Sequence, residues 1–426
     1  MSAIYSTLTS VITRISDEIH DSFLFTVIFS VLTFFENQWV NSYFKRLYPD
    51  ENFLSFLNRA DILKNHIFNP LIVLFLFAVF LLLSISTLTE SLAVTLLIGF
   101  VAFFVGSTLL SGYVVNENLE NIPRFARNDI YSIGFCLILV SIVFFFASVA
   151  SVGGIPLLKP SIRYLLKPAL TMPVFLIIPG TCLVASSYLN DYQRGEITRS
   201  QIRFRFLFLL AMNCAFLLLL GYRTPIVAAF LVLIIIGFYG NIISLWEVVA
   251  GAAIGVCAII GIGYFRSLGE FTITSSTSPI YTLQSRADFT LHVLNLLDFL
   301  GGNFGVTHGQ LLASSIPGSD LGPRMMVGKL IAWRTEVTVT PTLIGQMVAD
   351  FGKLGVLVEM CILGFTLGVG FKIMRKTQDY FYIGIYSLIL TYTILGIETG
   401  ILDIQVLAYF IIAIFIYLIS IVKCRN

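Results

Sequence analysis

Long apolar runs separated by short polar turns dominate the chain after residue 66. They recur ten times, at approximately 67–88, 91–110, 130–150, 169–189, 203–221, 224–240, 242–264, 354–373, 380–401 and 404–422. A helix rises 1.5 Å per residue, so about 20 apolar residues cross a hydrocarbon core about 30 Å thick. In lipid the backbone must satisfy its own polar groups, which leaves helices as the natural reading of such runs. The pattern predicts an all-α, polytopic membrane helical bundle of about ten transmembrane helices. Residues 67–426 form this transmembrane domain. Residues 1–66 break the pattern: Asp17, Glu18 and Asp21 precede a short apolar run, Phe23–Phe35, followed by Glu36, Asn37 and Gln38. They predict a cytoplasmic or membrane-surface segment, with the crossing of 22–46 left open.

One interruption stands apart. Residues 265–340 form the only long loop between spans, with five basic and five acidic residues. Within it, 286–300 carries apolar residues at helical spacing, which predicts a helix lying on the membrane. The proline- and glycine-rich stretch Ile316–Arg324 predicts an ordered loop. After Pro341 a short helix starts.

Composition sharpens this picture. Hydrophobic residues make up 57% of the chain and charged residues 12%, about half the charge of an ordinary soluble domain. The net charge of +2 argues against nucleic-acid binding. The six cysteines are scattered, and the four histidines lack metal-ligand spacing, so neither a disulfide framework nor a metal site is expected. A phosphate-cradling glycine-rich loop with lysine, an HExxH and a GxSxG are all missing, which argues against nucleotide-driven transport and zinc proteolysis. The first twenty residues lack the apolar region of a cleavable signal peptide. With the N-terminus inside, eleven Lys and Arg residues fall in or beside inside loops and four in short outside loops. The positive-inside rule therefore predicts a multi-pass cell-membrane protein with both termini cytoplasmic and 265–340 outside.

The exceptions to that rule carry the candidate chemistry. Lys159, Arg163 and Lys167 recur at i, i+4 and i+8 in an outside loop, and would share one helical face. They read either as a solvated stripe or as an anion site at the outer membrane surface. Arg223 sits in the tight turn Leu220–Pro225 between two apolar runs. A guanidinium there is costly unless paired, and its planar fork suits a phosphate. In the large loop Arg286 and Arg324 are further cations, and along its exit Glu336 and Asp350 are the carboxylates that could deprotonate a sugar hydroxyl. Either acid could instead pair with an arginine.

Taken in order, Gly153–Leu158, the turn Gly221-Tyr222-Arg223-Thr224, Arg286-Ala287-Asp288, Ile316-Pro317-Gly318, Gly322-Pro323-Arg324, Thr340–Gly345 and Ile397–Gly400 resemble the Wzy-type oligosaccharide repeat-unit polymerases, over roughly residues 70–420. The resemblance implies a GT-C-like membrane glycosyltransferase that uses no metal, cofactor or nucleotide sugar. It would move a growing glycan from one polyprenyl-pyrophosphate carrier to the sugar hydroxyl of a second lipid-linked repeat unit. A chain-length regulator protein is a further candidate partner. The family's outer arginines, which hold pyrophosphate, map by motif onto Arg223, Arg286 and Arg324. Clustered guanidiniums would stabilise the charge that builds on the leaving pyrophosphate.

Two other readings compete. An O-antigen-ligase-like enzyme would share the architecture and could use His292 or His308 as base. A flippase or transporter of lipid-linked oligosaccharide should show charges inside its spans and related halves. Here the charges concentrate in one loop, which favours an enzyme.

Overall fold

A computed structural model describes residues 67–425, apart from 116–121, 159–161, 163–164, 223, 254, 256–278, 317–318, 320 and 333–337. The N-terminal segment 1–66 lies outside the described residues, and the elements below belong to the compact unit Phe68–Asn426. They are α1 (Ile72–Leu83), α2 (Glu90–Val114), α3 (Arg127–Val152), α4 (Pro168–Gln193), α5 (Arg199–Leu219), α6 (Thr224–Tyr239), α7 (Pro279–Gly301), α8 (Pro323–Ala332), α9 (Thr342–Thr377), α10 (Tyr380–Thr399) and α11 (Ile404–Arg425). No strand occurs among the described residues. The chain is an all-α polytopic membrane protein. Seven helices, α2 to α5 and α9 to α11, are long and apolar enough to cross a membrane.

Two of the ten expected spans form apolar helices below crossing length. At 12 residues, α1 reaches about 18 Å, and the 16 residues of α6 reach about 24 Å. The run at 242–264 is helical over 245–253, and most of its remainder lies outside the described residues.

Local chemistry sets the helix ends. Thr89 accepts a hydrogen bond from Leu92 N at the start of α2. Thr198 and Gln201 form a reciprocal capping box at the start of α5, and Asp379 caps α10 through Phe381 N. α3 stops at Gly153, which takes the left-handed conformation that glycine adopts without strain.

α10 is the central post of the bundle. Its Tyr382 and Tyr386 are fully buried. Their hydroxyls donate to the carbonyls of Pro123 (3.0 Å) and Phe68 (2.6 Å), which lets large aromatic surfaces be buried with no orphaned hydroxyl. α2 and α9 cross closely. A Cβ on Gly106 would lie 2.2 Å from the Cys361 carbonyl oxygen, so only the small residue allows the backbones to meet.

The large loop is not a membrane-surface appendage where it is described. α7 turns one face into the bundle, burying Ala287, Leu291, Leu294, Leu297 and Asp298 against α9, α2 and α1. The apolar stripe expected to lie on lipid is used for helix packing instead. Asp298 takes a hydrogen bond from the Thr95 hydroxyl of α2 at 2.6 Å in that interface.

Candidate functional site

The described part of the large loop is stitched onto one end of the bundle by backbone and carboxylate hydrogen bonds. α9 is broken at Gly352, whose φ of 64° and ψ of −153° are not helical. A Cβ there would stand 2.3 Å from the Asn303 carbonyl carbon, so glycine is required for both torsion and space. The 301–312 turn docks on the break: Val306 N and Thr307 N donate to Ala349 O, and Lys353 N donates to Gly302 O.

Asp350 fastens this turn. It is buried, and it accepts from the Thr307 hydroxyl (2.5 Å) and from the backbone N–H groups of Gly309 (3.1 Å), Leu311 (3.0 Å) and Leu312 (2.9 Å). Two of those donors belong to the short helix Gln310–Ala313, whose free N–H groups need an acceptor. The expectation of Asp350 as a second base runs against this geometry. Its lone pairs are committed to four donors, and a sugar hydroxyl would have to displace them.

A shared apolar core carries the same segments. Val293, Leu297, Leu311, Val327, Val339, Ala349 and Leu402 form one buried cluster. It joins α7, α8, the start of α9 and the turn between α10 and α11. Fully burying each of its Val and Leu side chains contributes about 1.5–3 kcal/mol, so the core fixes α8 and that turn in register with α7.

The 398–403 turn is where the sequence-derived arginines meet. Arg286 of α7 pairs through Nε with Glu398 on the last turn of α10. Arg324, near the start of α8, pairs with Asp403 at 2.5 Å, just before α11. Two cations separated by 38 positions thus reach two carboxylates at the two ends of one tight turn. Gln346, buried at the start of α9, holds the turn: its Oε1 accepts from Ile401 N and Leu402 N, both at 3.2 Å. Gly400 has φ 77°, and a Cβ there would meet that Oε1 at 2.5 Å. The Ser315 hydroxyl donates to Leu402 O from the other side. Arg286 and Glu398 remain 54% and 36% exposed, and Arg324 and Asp403 33% and 44%. Both pairs are therefore open to a ligand.

The other expected site residues, Lys159, Arg163, Arg223 and Glu336, lie outside the described residues. The flanks of Arg223 share this end of the bundle. Leu157 N donates to Leu219 O, and the Tyr222 ring meets Phe175 edge-on at 5.0 Å. Gln405 of α11 in turn donates to Met172 O at 2.9 Å, close to Phe175 in α4. Downstream of Glu336, Val339 N donates to Arg324 O. His292 and His308 are exposed, the latter at φ 47°. Among the described residues no group of three or more His, Cys, Asp and Glu could hold a metal ion.

Asp288 serves the frame. It accepts from Ser84 Oγ (2.5 Å), Ile85 N (2.7 Å) and Ser86 N (3.0 Å), at the unwound end of the first apolar run. The Ser84 hydroxyl and the Ser86 N–H hold its carboxyl below the usual carboxylate range.

Sequence reasoning missed Glu398, Asp403 and Gln346 as site-building residues. A signal existed for the two acids: Glu398 falls inside the apolar run 380–401 and Asp403 in the two-residue turn after it, where an unpaired charge is out of place.

Comparison with known proteins adds family evidence to this geometry. The profile of the family described as "Putative O-antigen polymerase" matches residues 66–410. An uncharacterized protein of Methanocaldococcus jannaschii is 27% identical over 315 residues, covering 73% of this chain and 82% of that protein. No solved structure matches.

Proposed function

Because this chain belongs to the O-antigen polymerase family, we propose that it polymerises lipid-linked oligosaccharide repeat units at the outer face of the cell membrane, with both of its termini cytoplasmic. One observation supports the reading most: Arg286 and Arg324 converge on the 398–403 turn, half-exposed and bracketed by carboxylates. In this reading the donor is a glycan on a polyprenyl-pyrophosphate, and the acceptor is the sugar hydroxyl of a second lipid-linked unit. The glycosidic bond to pyrophosphate breaks, and negative charge builds on the leaving oxygen. Guanidiniums held beside that oxygen stabilise the charge. Arg223, Lys159 and Arg163 would add cations from neighbouring turns, and Glu336 remains a base candidate. The transfer needs no nucleotide sugar and no metal, and a chain-length regulator protein would act on this complex from outside the chain.

The test is complementation of a deletion strain with membranes assayed for glycan length. The wild-type chain should restore long glycans, and Arg286→Ala and Arg324→Ala should leave single lipid-linked units although the protein accumulates in the membrane. Long glycans from both variants would remove the proposed role of this arginine pair. In membranes washed with chelator the wild-type chain should still elongate glycans; loss of elongation would contradict metal independence.

A further inference from the structure

The two carboxylates of the 398–403 turn are not equivalent, and the difference singles out one of them. Asp403 precedes α11, and its own carbonyl accepts from Leu407 N, so its carboxylate sits at the positive end of a helix dipole. An anion is favoured there with or without a cation, which suits a fixed anchor for Arg324. Glu398 lies on the last turn of α10, at the negative end of that helix, where an anion is disfavoured and depends on Arg286 for company. The Arg286–Glu398 pair also holds the more exposed of the two arginines. Exposed ion pairs are weak. A pyrophosphate offers the same guanidinium several anionic oxygens and a bidentate grip. Gln346 and the positive φ of Gly400 keep the turn in place while the pair exchanges.

Resting on the proposed polymerisation, we infer that Glu398 is the catalytic base, masked by Arg286 until donor pyrophosphate draws that arginine away. The freed carboxylate takes the proton of the acceptor hydroxyl as its oxygen bonds to the donor's anomeric carbon. The bond from that carbon to the pyrophosphate oxygen breaks, and its electron pair stays on the pyrophosphate, held by Arg286. The products are the elongated glycan on the acceptor lipid, the free polyprenyl-pyrophosphate and protonated Glu398. Departure of the pyrophosphate returns Arg286 to the carboxylate, and the proton leaves to water. Without donor the base is neutralised by its own partner, so acceptor hydroxyls are not activated in an empty site.

The experiment uses the full-length chain in lipid nanodiscs, with a polyprenyl-pyrophosphate as binding probe and lipid-linked repeat units for turnover. Glu398→Gln should bind the probe at least as tightly as wild type, because a competing anion is gone. Its elongation rate should fall about 100-fold or more, the range for loss of a positioned base. Glu398→Asp should retain a measurable rate, which shows that the altered turn still folds. Arg286→Ala should lose probe binding. Elongation by Glu398→Gln within a few-fold of wild type overturns the assignment. So does loss of probe binding by Glu398→Gln in step with Arg286→Ala, since Glu398 would then only orient the arginine. Failure of the wild-type chain to bind the probe would instead strike the pyrophosphate reading beneath it.

Discussion

Replacing Asp350 by alanine separates a structural carboxylate from a chemical one. The substitution removes an acceptor for four donors at 2.5–3.1 Å, from Thr307, Gly309, Leu311 and Leu312. Hydrogen bonds to a charged group contribute about 1.5–3 kcal/mol each, giving about 6–12 kcal/mol if all four were lost outright. Gly309 and Leu312 are only partly buried at these contacts, so water replaces some of the loss. A destabilisation of about 3–6 kcal/mol is the expected outcome. It should concentrate in the 301–312 turn, which is sewn to the helix break at Gly352. Thermal unfolding of the purified chain in detergent, with proteolysis of that segment as a local probe, reads both. Asp350→Asn keeps one acceptor oxygen and should fall between alanine and wild type. If Asp350→Ala melts and resists protease like wild type yet loses elongation, Asp350 acts in the chemistry and the structural reading is wrong.

Gln346→Leu leaves Ile401 N and the buried Leu402 N without their shared acceptor. It should destabilise the chain by about 2–4 kcal/mol and shorten glycans, whereas Gln346→Glu, which keeps the oxygen, should do less; equal melting of the leucine variant and wild type would detach Gln346 from the turn. Asp288 has a folded-state carboxyl held below its usual range by Ser84 and Ser86, so its contribution is present above the unfolded value of about 3.9 and is lost as pH falls through the lower folded value. Asp288→Asn should therefore flatten the stability loss of the chain below about pH 4, a change read from melting temperature against pH. Arg286→Lys, which keeps charge but loses the fork, should weaken probe binding and elongation; an unchanged rate would reduce Arg286 to a simple charge.

Much of the helical layout was legible in the apolar runs, because in lipid each helix satisfies its own backbone and needs no distant partner. The first run shows where that logic ends. Residues 84–88 count as the end of the first run, yet they are unwound and give Ile85 N and Ser86 N to Asp288, some 200 positions away. The break of α9 at Gly352 falls where the short helix after Pro341 gives way to the run from 354, but its cause, the backbone of Asn303 and Phe304, was hidden. α7 was readable as a helix, but its apolar stripe did not say whether lipid or α9 would cover it. At the site, Arg286 and Arg324 were visible as cations in a greasy chain. Their pairing with Glu398 and Asp403 was not, because those acids are brought to them only by packing of the last two helices. Asp350 read as a second candidate base past the loop exit, and its commitment to four donors depends on a turn folded from 301–312.

In the proposed mechanism, arginines paired at the 398–403 turn serve the transfer of glycan between lipid carriers. Its most direct test is elongation by the purified chain in liposomes supplied with lipid-linked repeat units, read as a glycan ladder by gel and mass. Wild type should give a ladder, and Arg286→Ala and Arg324→Ala single units, in protein that still melts cooperatively. A wild-type chain that makes no ladder, or a ladder unchanged in both variants, would contradict it.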